Sequence, residues 1–122
     1  MLQERSIVKI ADNTGAKIGR IFRVLGGSRK KFAQIGDVVV LSVQTAEPRK
    51  QVKKKDILRA VVVRQSKPFR RKDGSYIRFD ENAVVIVDIK KEPKGNRVFG
   101  PVPREIGERG FQKVASLASE VV

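Results

Sequence analysis

A mainly β protein built on a small closed barrel is predicted by two features of the sequence. Short apolar stretches recur along the chain, and turns containing Gly, Asp, Asn or Pro separate them. This pattern is typical of small sandwiches and barrels, and closing the barrel removes strand edges that would otherwise pair with other chains. The 122 residues suit one domain. We expect a barrel over about residues 1–90 and a C-terminal segment over about 91–122.

The apolar stretches predict strands over residues 6–11, 16–25, 38–43, 57–63 and 82–89. A turn beginning at Asp12 ends the first strand, and Gly26 ends the second. The third follows Gly36 and is apolar at almost every position, which is typical of a strand buried in a barrel core. Pro48 ends it. The chain therefore supplies enough strands to close a small barrel.

A basic hairpin is predicted over residues 64–79. Asp73 and Gly74 are the residues preferred in a two-residue type I′ turn, which requires positive φ at both positions. With that turn, four alternating side chains share one face: Phe69, Arg71, Tyr76 and Arg78. Cations interleaved with aromatic rings suit phosphates and unstacked bases. The simpler alternative is a solvated hairpin whose charges only keep the protein soluble.

The net charge favours the binding alternative. The chain has 27 Lys and Arg against 13 Asp and Glu, a formal net charge of +14. Residues 1–40, 41–80 and 81–122 carry +5, +8 and +1. Such an excess opposes compact folding by self-repulsion unless a polyanion relieves it. We expect a polyanionic partner, bound mainly by the middle of the chain.

Catalysis has few candidate residues. There is no Cys and no His, which excludes thiolate chemistry, Cys/His zinc sites and His-based triads. Asp80 and Glu81 are adjacent and would point to opposite faces of a strand. Residues 26–31 are rich in Gly and cations but lack the spacing of a P-loop. We expect neither an enzyme nor a cofactor or metal site.

The last third of the sequence differs from the rest. Residues 91–97 are rich in turn formers, and we expect residues 100–103 not to continue a strand, because Pro101 and Pro103 lack amide donors. Pro103 suits the start of a short helix over 103–109. A second short helix is predicted by the spacing of Phe111, Val114, Ala115 and Ala118.

Two kinds of polyanion partner are consistent with the charge: folded RNA, or an anionic surface such as a membrane or an acidic protein tail. A membrane-surface protein is expected to carry its charge beside an amphipathic helix. Here the charge lies on predicted strands and turns, and no stretch approaches the roughly 18 apolar residues of a membrane span. Without a long recognition helix for duplex DNA, the pattern favours irregular folded RNA.

The sequence resembles the family of large-subunit ribosomal protein fourteen. Its signature runs through residues 60–63, Asp73 with Gly74, Phe79, Asn82, and Val85 with Ile86, at the family's spacing. Further matches extend along the chain, including residues 11–16, 23–28, 77–80, 99–102 and 116–118. The length resembles the bacterial or plastid form.

The resemblance implies a five-stranded barrel with a protruding ribbon and a C-terminal region of loops and short helices. It implies a structural constituent of the large subunit, which binds 23S-type large-subunit rRNA and bridges to small-subunit rRNA. The protein partners implied are ribosomal proteins three and nineteen and a ribosome silencing factor. The expected location is the ribosome of the cytoplasm, or of a plastid, with no membrane partner.

Candidate contact residues follow from the charge pattern together with the resemblance. For rRNA they are Arg29, Lys30, Lys31, Arg49, Lys53, Lys54, Arg64, Lys67, Arg70, Arg71 and Arg78. For the intersubunit and partner surface they are Lys94, Asn96, Arg97 and Ser116.

Overall fold

The computed structural model describes residues 2–26 and 30–122. The strands are β1 (Leu2–Gln3), β2 (Ile7–Ile10), β3 (Ala16–Val24), β4 (Phe32–Ala33), β5 (Val38–Ala46), β6 (Ile57–Arg64), β7 (Phe69–Arg70), β8 (Tyr76–Ile77), β9 (Ala83–Val87), β10 (Val98–Val102) and β11 (Ala118–Val121). The helices are α1 (Glu105–Glu108) and α2 (Gln112–Leu117). No helix within these residues is long and apolar enough to cross a membrane.

The predicted five-stranded closed barrel is confirmed. Its strand order is β2, β3, β5, β6, β9, and antiparallel ladders join each strand to the next in this order. Parallel pairing of β9 with β2, which places Ile10 beside Val84, closes the barrel. All five predicted strands are present, and their bounds agree with the prediction to within three residues.

Strands β6 and β9 are buried on both faces. Alternate residues such as Val62 and Ile86 point into the barrel, while Val61, Val63 and Val85 point outward into a second core. That outer core lies under the C-terminal segment, which contributes Val102, Ile106, Phe111 and Val114. Since both faces are dry, both strands have continuous apolar sequences.

The apolar run of β5 has a different explanation. Val39, Leu41 and Val43 are buried in the barrel, whereas Val38 and Val40 are only half-buried. The prediction of a strand buried in the barrel core is therefore confirmed for the inward-facing residues, while the outward-facing residues are only partly covered. A continuous apolar sequence did not distinguish a strand covered on both faces from one covered on a single face.

The two predicted C-terminal helices are confirmed as α1 and α2. The expectation that residues 100–103 could not form a strand was wrong, because β10 includes Gly100 and Pro101 and pairs in parallel with β11. The register shifts between Val98 and Pro101, and the sheet has only two strands. An edge strand with a register shift tolerates the missing amide of proline.

The hairpin forms, but in a different register from the predicted one. Phe69 pairs with Ile77 and Arg70 with Tyr76, so the loop has three residues, Lys72 to Gly74. The amide of Gly74 donates to the carbonyl of Arg71, and only Gly74 has positive φ, at 90°. This is the three-residue turn that ends in a left-handed glycine. The shift separates Arg71 from Tyr76, and Arg70 shares a face with Tyr76 instead.

The Asp12 carboxylate connects the turn after β2 to strand β9. The Asp12 carboxylate accepts hydrogen bonds from the Thr14 hydroxyl (2.6 Å), the Thr14 amide (3.2 Å) and the Ile86 amide (2.9 Å). Burial raises the pKa of Asp12 above its usual value, and these hydrogen bonds oppose the shift. Asp12 is therefore a structural group, as is common for an aspartate in a turn.

Candidate nucleic-acid interface

The predicted rRNA contacts lie at opposite ends of the barrel. Because β3 pairs with β5 from Ala16 opposite Ala46 to Val24 opposite Val39, the loops that follow β3 and β5 leave from opposite ends. The loop after β5 carries exposed cations at Arg49, Lys50, Lys53, Lys54 and Lys55. Three of these were predicted, and Asp56 fixes the loop by accepting the Lys53 amide at 3.0 Å.

The other end of the barrel holds the hairpin and the loop before β4. Five of the predicted cations are exposed there: Lys30, Lys31, Lys67, Arg70 and Arg78. Lys30 also forms an ion pair with buried Asp37, at 2.9 Å. Arg29 lies outside the described residues.

Two predicted contacts, Arg64 and Arg71, are bound inside the protein. Arg64 is 6% exposed and donates from Nη1 to the carbonyls of Phe99 (3.1 Å) and Pro101 (3.5 Å). Its Nη2 lies 3.4 Å from a carboxylate oxygen of Glu81, and burial lowers the pKa of Arg64 against the opposing effect of that carboxylate. A side chain at Gly100 would collide with this guanidinium. Arg64 therefore attaches the C-terminal segment to the barrel.

Arg71 holds the hairpin against the C-terminal segment. Its Nε lies 2.9 Å from Oε1 of Glu105, and its Nη2 donates to the carbonyl of Val122 at 2.6 Å. Both charged side chains are largely buried, with 12% and 15% exposed. Neither Arg64 nor Arg71 is available to a partner in this conformation, so neither belongs to the nucleic-acid interface.

Three outward-facing arginines were missed by the sequence analysis: Arg20 and Arg23 on β3, and Arg59 on β6. All three are exposed, and the register places Val40 between Arg23 and Arg59. The sequence could have identified them, since a cation inside an apolar strand must point away from the core. Together with Lys17 and the cations of residues 49–55, they form what we call the basic face.

The predicted intersubunit residues occupy the loop before β10. Asn13 Oδ1 accepts the amides of Asn96 (3.0 Å) and Arg97 (3.2 Å), and the two asparagine side chains also bond each other. The Arg97 guanidinium lies 5.7 Å from the centre of the Phe99 ring. This network fixes the loop and leaves Lys94, Asn96 and Arg97 exposed.

Ser116 is exposed on α2, away from that loop, and its hydroxyl donates to the Lys113 carbonyl at 2.8 Å. Lys113 connects the two regions through an ion pair with Glu92 at 2.8 Å. The hydrogen bond to Glu92 raises the pKa of Lys113.

Residues 98–122, here called the C-terminal cover, differ in charge from the basic face. They carry three basic and three acidic side chains, whereas residues 16–72 carry 17 basic and three acidic ones. The cover packs on the outer side of β6 and β9 through the second core. The barrel therefore has one side rich in cations and another closed by a neutral segment.

The fold and this charge distribution define a small basic β-barrel protein with a neutral C-terminal cover. The family model described as Ribosomal protein L14p/L23e matches residues 1–122, and the chain belongs to that family. The chain is thus a structural constituent of the large ribosomal subunit, located in the ribosome and associated with ribosomal RNA and proteins. The family is structural, not enzymatic. The resemblance stated from the sequence is confirmed, and the bacterial or plastid type stays a prediction.

Proposed function

We propose that the basic face and the hairpin end bind 23S-type large-subunit rRNA, and that the loop around Arg97 contributes to bridges with small-subunit rRNA. The observation that carries the proposal is the separation of charge around the barrel. Cations cover the strands and loops that the C-terminal cover leaves open, while the cover itself has no net charge.

The barrel gives these cations a rigid arrangement. Arg20, Arg23 and Arg59 are held on paired strands, so binding RNA requires little ordering of the backbone. Arginine suits phosphate because its planar guanidinium can donate two parallel hydrogen bonds. Loops and bulges of folded RNA offer phosphates at varied angles, which a convex basic surface can contact.

The cover is the surface that we propose for protein partners. Residues 98–122 carry no net charge, so they lack the long-range attraction for rRNA that the basic face has. We assign to it, and to the adjoining residues Lys94, Asn96, Arg97 and Ser116, the partners implied by the resemblance. These are ribosomal proteins three and nineteen and the silencing factor. Whether the ribosome is cytoplasmic or of a plastid stays a prediction.

The proposal is tested with two triple variants that remove the same charge. The basic-face variant is Arg20→Gln/Arg23→Gln/Lys54→Gln, and the matched variant is Lys90→Gln/Arg104→Gln/Lys113→Gln. All six side chains are exposed, so both proteins should fold. Each is expressed in cells depleted of the natural protein, and large subunits are sedimented through a high-salt wash.

We expect the basic-face variant to be lost from the washed subunits and the matched variant to be retained. Equal retention of both, with thermal unfolding unchanged, would show that the basic face does not hold the protein on rRNA. Equal loss of both would show that only total charge matters.

A further inference from the structure

A cleft of about 390 Å³ lies where the basic face meets the C-terminal cover. Val38 and Val87 contribute to its apolar lining, and Ile89 lines it with a side chain that is 79% exposed. Four cations from separate segments surround it, together with two carboxylates: Lys30, Arg59, Lys91 and Arg109, with Asp37 and Asp88. None of the last three cations was a candidate from the sequence.

Two of the four cations share one carboxylate. Lys30 Nζ lies 2.9 Å from Oδ1 of Asp37, and Arg109 Nη1 lies 3.3 Å from the same oxygen. Asp37 is buried, and its other oxygen accepts the Gln34 amide at 2.8 Å. Gly36 permits this approach, because a Cβ there would lie only 3.0 Å from Cγ of Arg109. This group is a fixed structural unit that retains one positive charge.

The other two cations, Arg59 and Lys91, have no carboxylate within 4.0 Å among the residues that the structure describes. Lys91 adopts a φ of 66° and its Nζ lies 5.4 Å from the centre of the Phe111 ring. The carboxylate of Asp88 is engaged by the amides of Lys90 (2.8 Å) and Glu92 (3.0 Å). The cleft therefore holds more positive charge than its own acids neutralise.

We propose that this cleft binds one phosphate group, held by Arg59 and Lys91 and supported by the Lys30–Asp37–Arg109 unit. A concave site with apolar walls concentrates the field of its cations, and phosphate oxygens accept strong charge-assisted hydrogen bonds. Ile89, which is exposed, offers an apolar surface to a ribose attached to that phosphate. The phosphate group could belong to the backbone of an RNA, and this alternative rests on the proposed function. Free inorganic phosphate is the other source.

Inorganic phosphate is the probe for the cleft itself. It is titrated into the full-length protein while backbone amide resonances are followed by NMR. Saturable shifts are expected at residues 88–91 and 109–110. Arg59→Gln/Lys91→Gln should weaken binding about tenfold or more, and Arg59→Lys/Lys91→Arg should keep it. The matched control Arg5→Gln/Lys9→Gln removes equal charge from two exposed residues outside the cleft and the basic face, and it should bind like the wild type.

The cleft is not a phosphate site if the Arg59→Gln/Lys91→Gln variant binds phosphate as tightly as the control, or if wild-type shifts spread evenly over all basic loops. A short single-stranded oligoribonucleotide then separates the sources. If it displaces phosphate from the wild type and loses affinity with Arg59→Gln/Lys91→Gln, RNA is the source. If phosphate binds and the oligonucleotide does not compete, the ligand is free phosphate. Failure of the wild-type protein to bind rRNA at all would overturn the proposed function and leave the phosphate titration valid.

Discussion

The basic face and the C-terminal cover lie on the same barrel and differ in what occupies the outward-facing positions of the strands. On β3 those positions include Lys17, Arg20 and Arg23, which remain exposed. On β9 they are Ala83, Val85 and Val87, which are buried under the cover. One fold therefore presents a charged surface on one side and an apolar one on the other. The apolar surface is covered within the chain, and the charged one is left open to solvent and to a polyanion.

The largest expected difference between the two sides is in salt dependence. If about 6–10 phosphates are contacted, affinity for an rRNA fragment should fall roughly 10³–10⁵-fold between 50 and 200 mM salt. Arg20→Gln/Arg23→Gln should reduce the slope of log affinity against log salt by about 1.4–1.8, since each phosphate contact contributes about 0.7 in a single strand and about 0.9 in a duplex. Arg104→Gln/Lys113→Gln on the cover should leave the slope unchanged. Filter binding at several salt concentrations measures the slope for each variant. An equal change in both slopes would contradict the proposed difference between the basic face and the cover.

The free energy of unfolding should instead be more sensitive to mutations under the cover than to mutations on the basic face. Phe111 is 1% exposed in the core under the cover, and Phe22 is 45% exposed on β3. Phe111→Ala should lower the free energy of unfolding by about 3–5 kcal/mol through the cavity it leaves. Phe22→Ala should lower it by less than about 1 kcal/mol. Urea unfolding of both variants checks this, and similar losses would mean that the cover is not an integral part of the fold.

The hairpin contains, at adjacent positions, an exposed arginine and one that is bound inside the protein. Arg71→Ala leaves the largely buried Glu105 without its partner and should cost about 1–3 kcal/mol of stability. Arg70→Ala removes an exposed cation and should change stability by less than about 0.5 kcal/mol while weakening rRNA binding. Thermal unfolding and filter binding are measured for each variant. If, at a temperature where both variants are folded, Arg71→Ala binds rRNA more weakly than Arg70→Ala does, Arg71 contacts rRNA and is not only structural.

The smallest expected effect lies at the loop between the two sides. Arg97→Glu should permit normal assembly of large subunits and weaken their joining to small subunits about two- to fivefold, because exposed charge pairs contribute little. The effect should be greatest at low magnesium. Arg97→Lys, which keeps the charge, is the control. Sucrose-gradient profiles decide the matter: missing large subunits, or unchanged joining at every magnesium concentration, would exclude this role for Arg97.

Local patterns predicted the barrel strands closely, since alternation and apolar runs depend on neighbours in sequence. The aspartates in turns each accept a nearby backbone amide, as is common for this residue type: Asp12, Asp37 and Asp73. Hydrogen bonds from Ser75 lower the pKa of Asp73 in that turn. The hairpin register was mispredicted by one residue, because Asp-Gly occurs in two-residue and three-residue loops and local sequence does not decide between them.

Of the candidate site, the sequence predicted most of the exposed loop cations and none of the exposed cations on the barrel strands. Arg64 and Arg71 were misplaced for a single reason. A buried arginine and an exposed one look alike in sequence, and their carbonyl and carboxylate partners lie 17 or more residues away along the chain. Arg23 and Arg59 were overlooked because strand cations stand alone in the sequence and come together only across the sheet.

The sequence by itself determined the family, the number and position of the barrel strands, and an excess of positive charge that favours a polyanionic partner. These follow from residue types, local periodicity and composition. Only the tertiary structure decided which cations are free, where the cover packs, and that Arg59, Lys91 and Arg109 meet around one cleft. Those outcomes depend on pairing and burial between residues far apart along the chain, because the same side chain gains or loses its partners according to what folds against it.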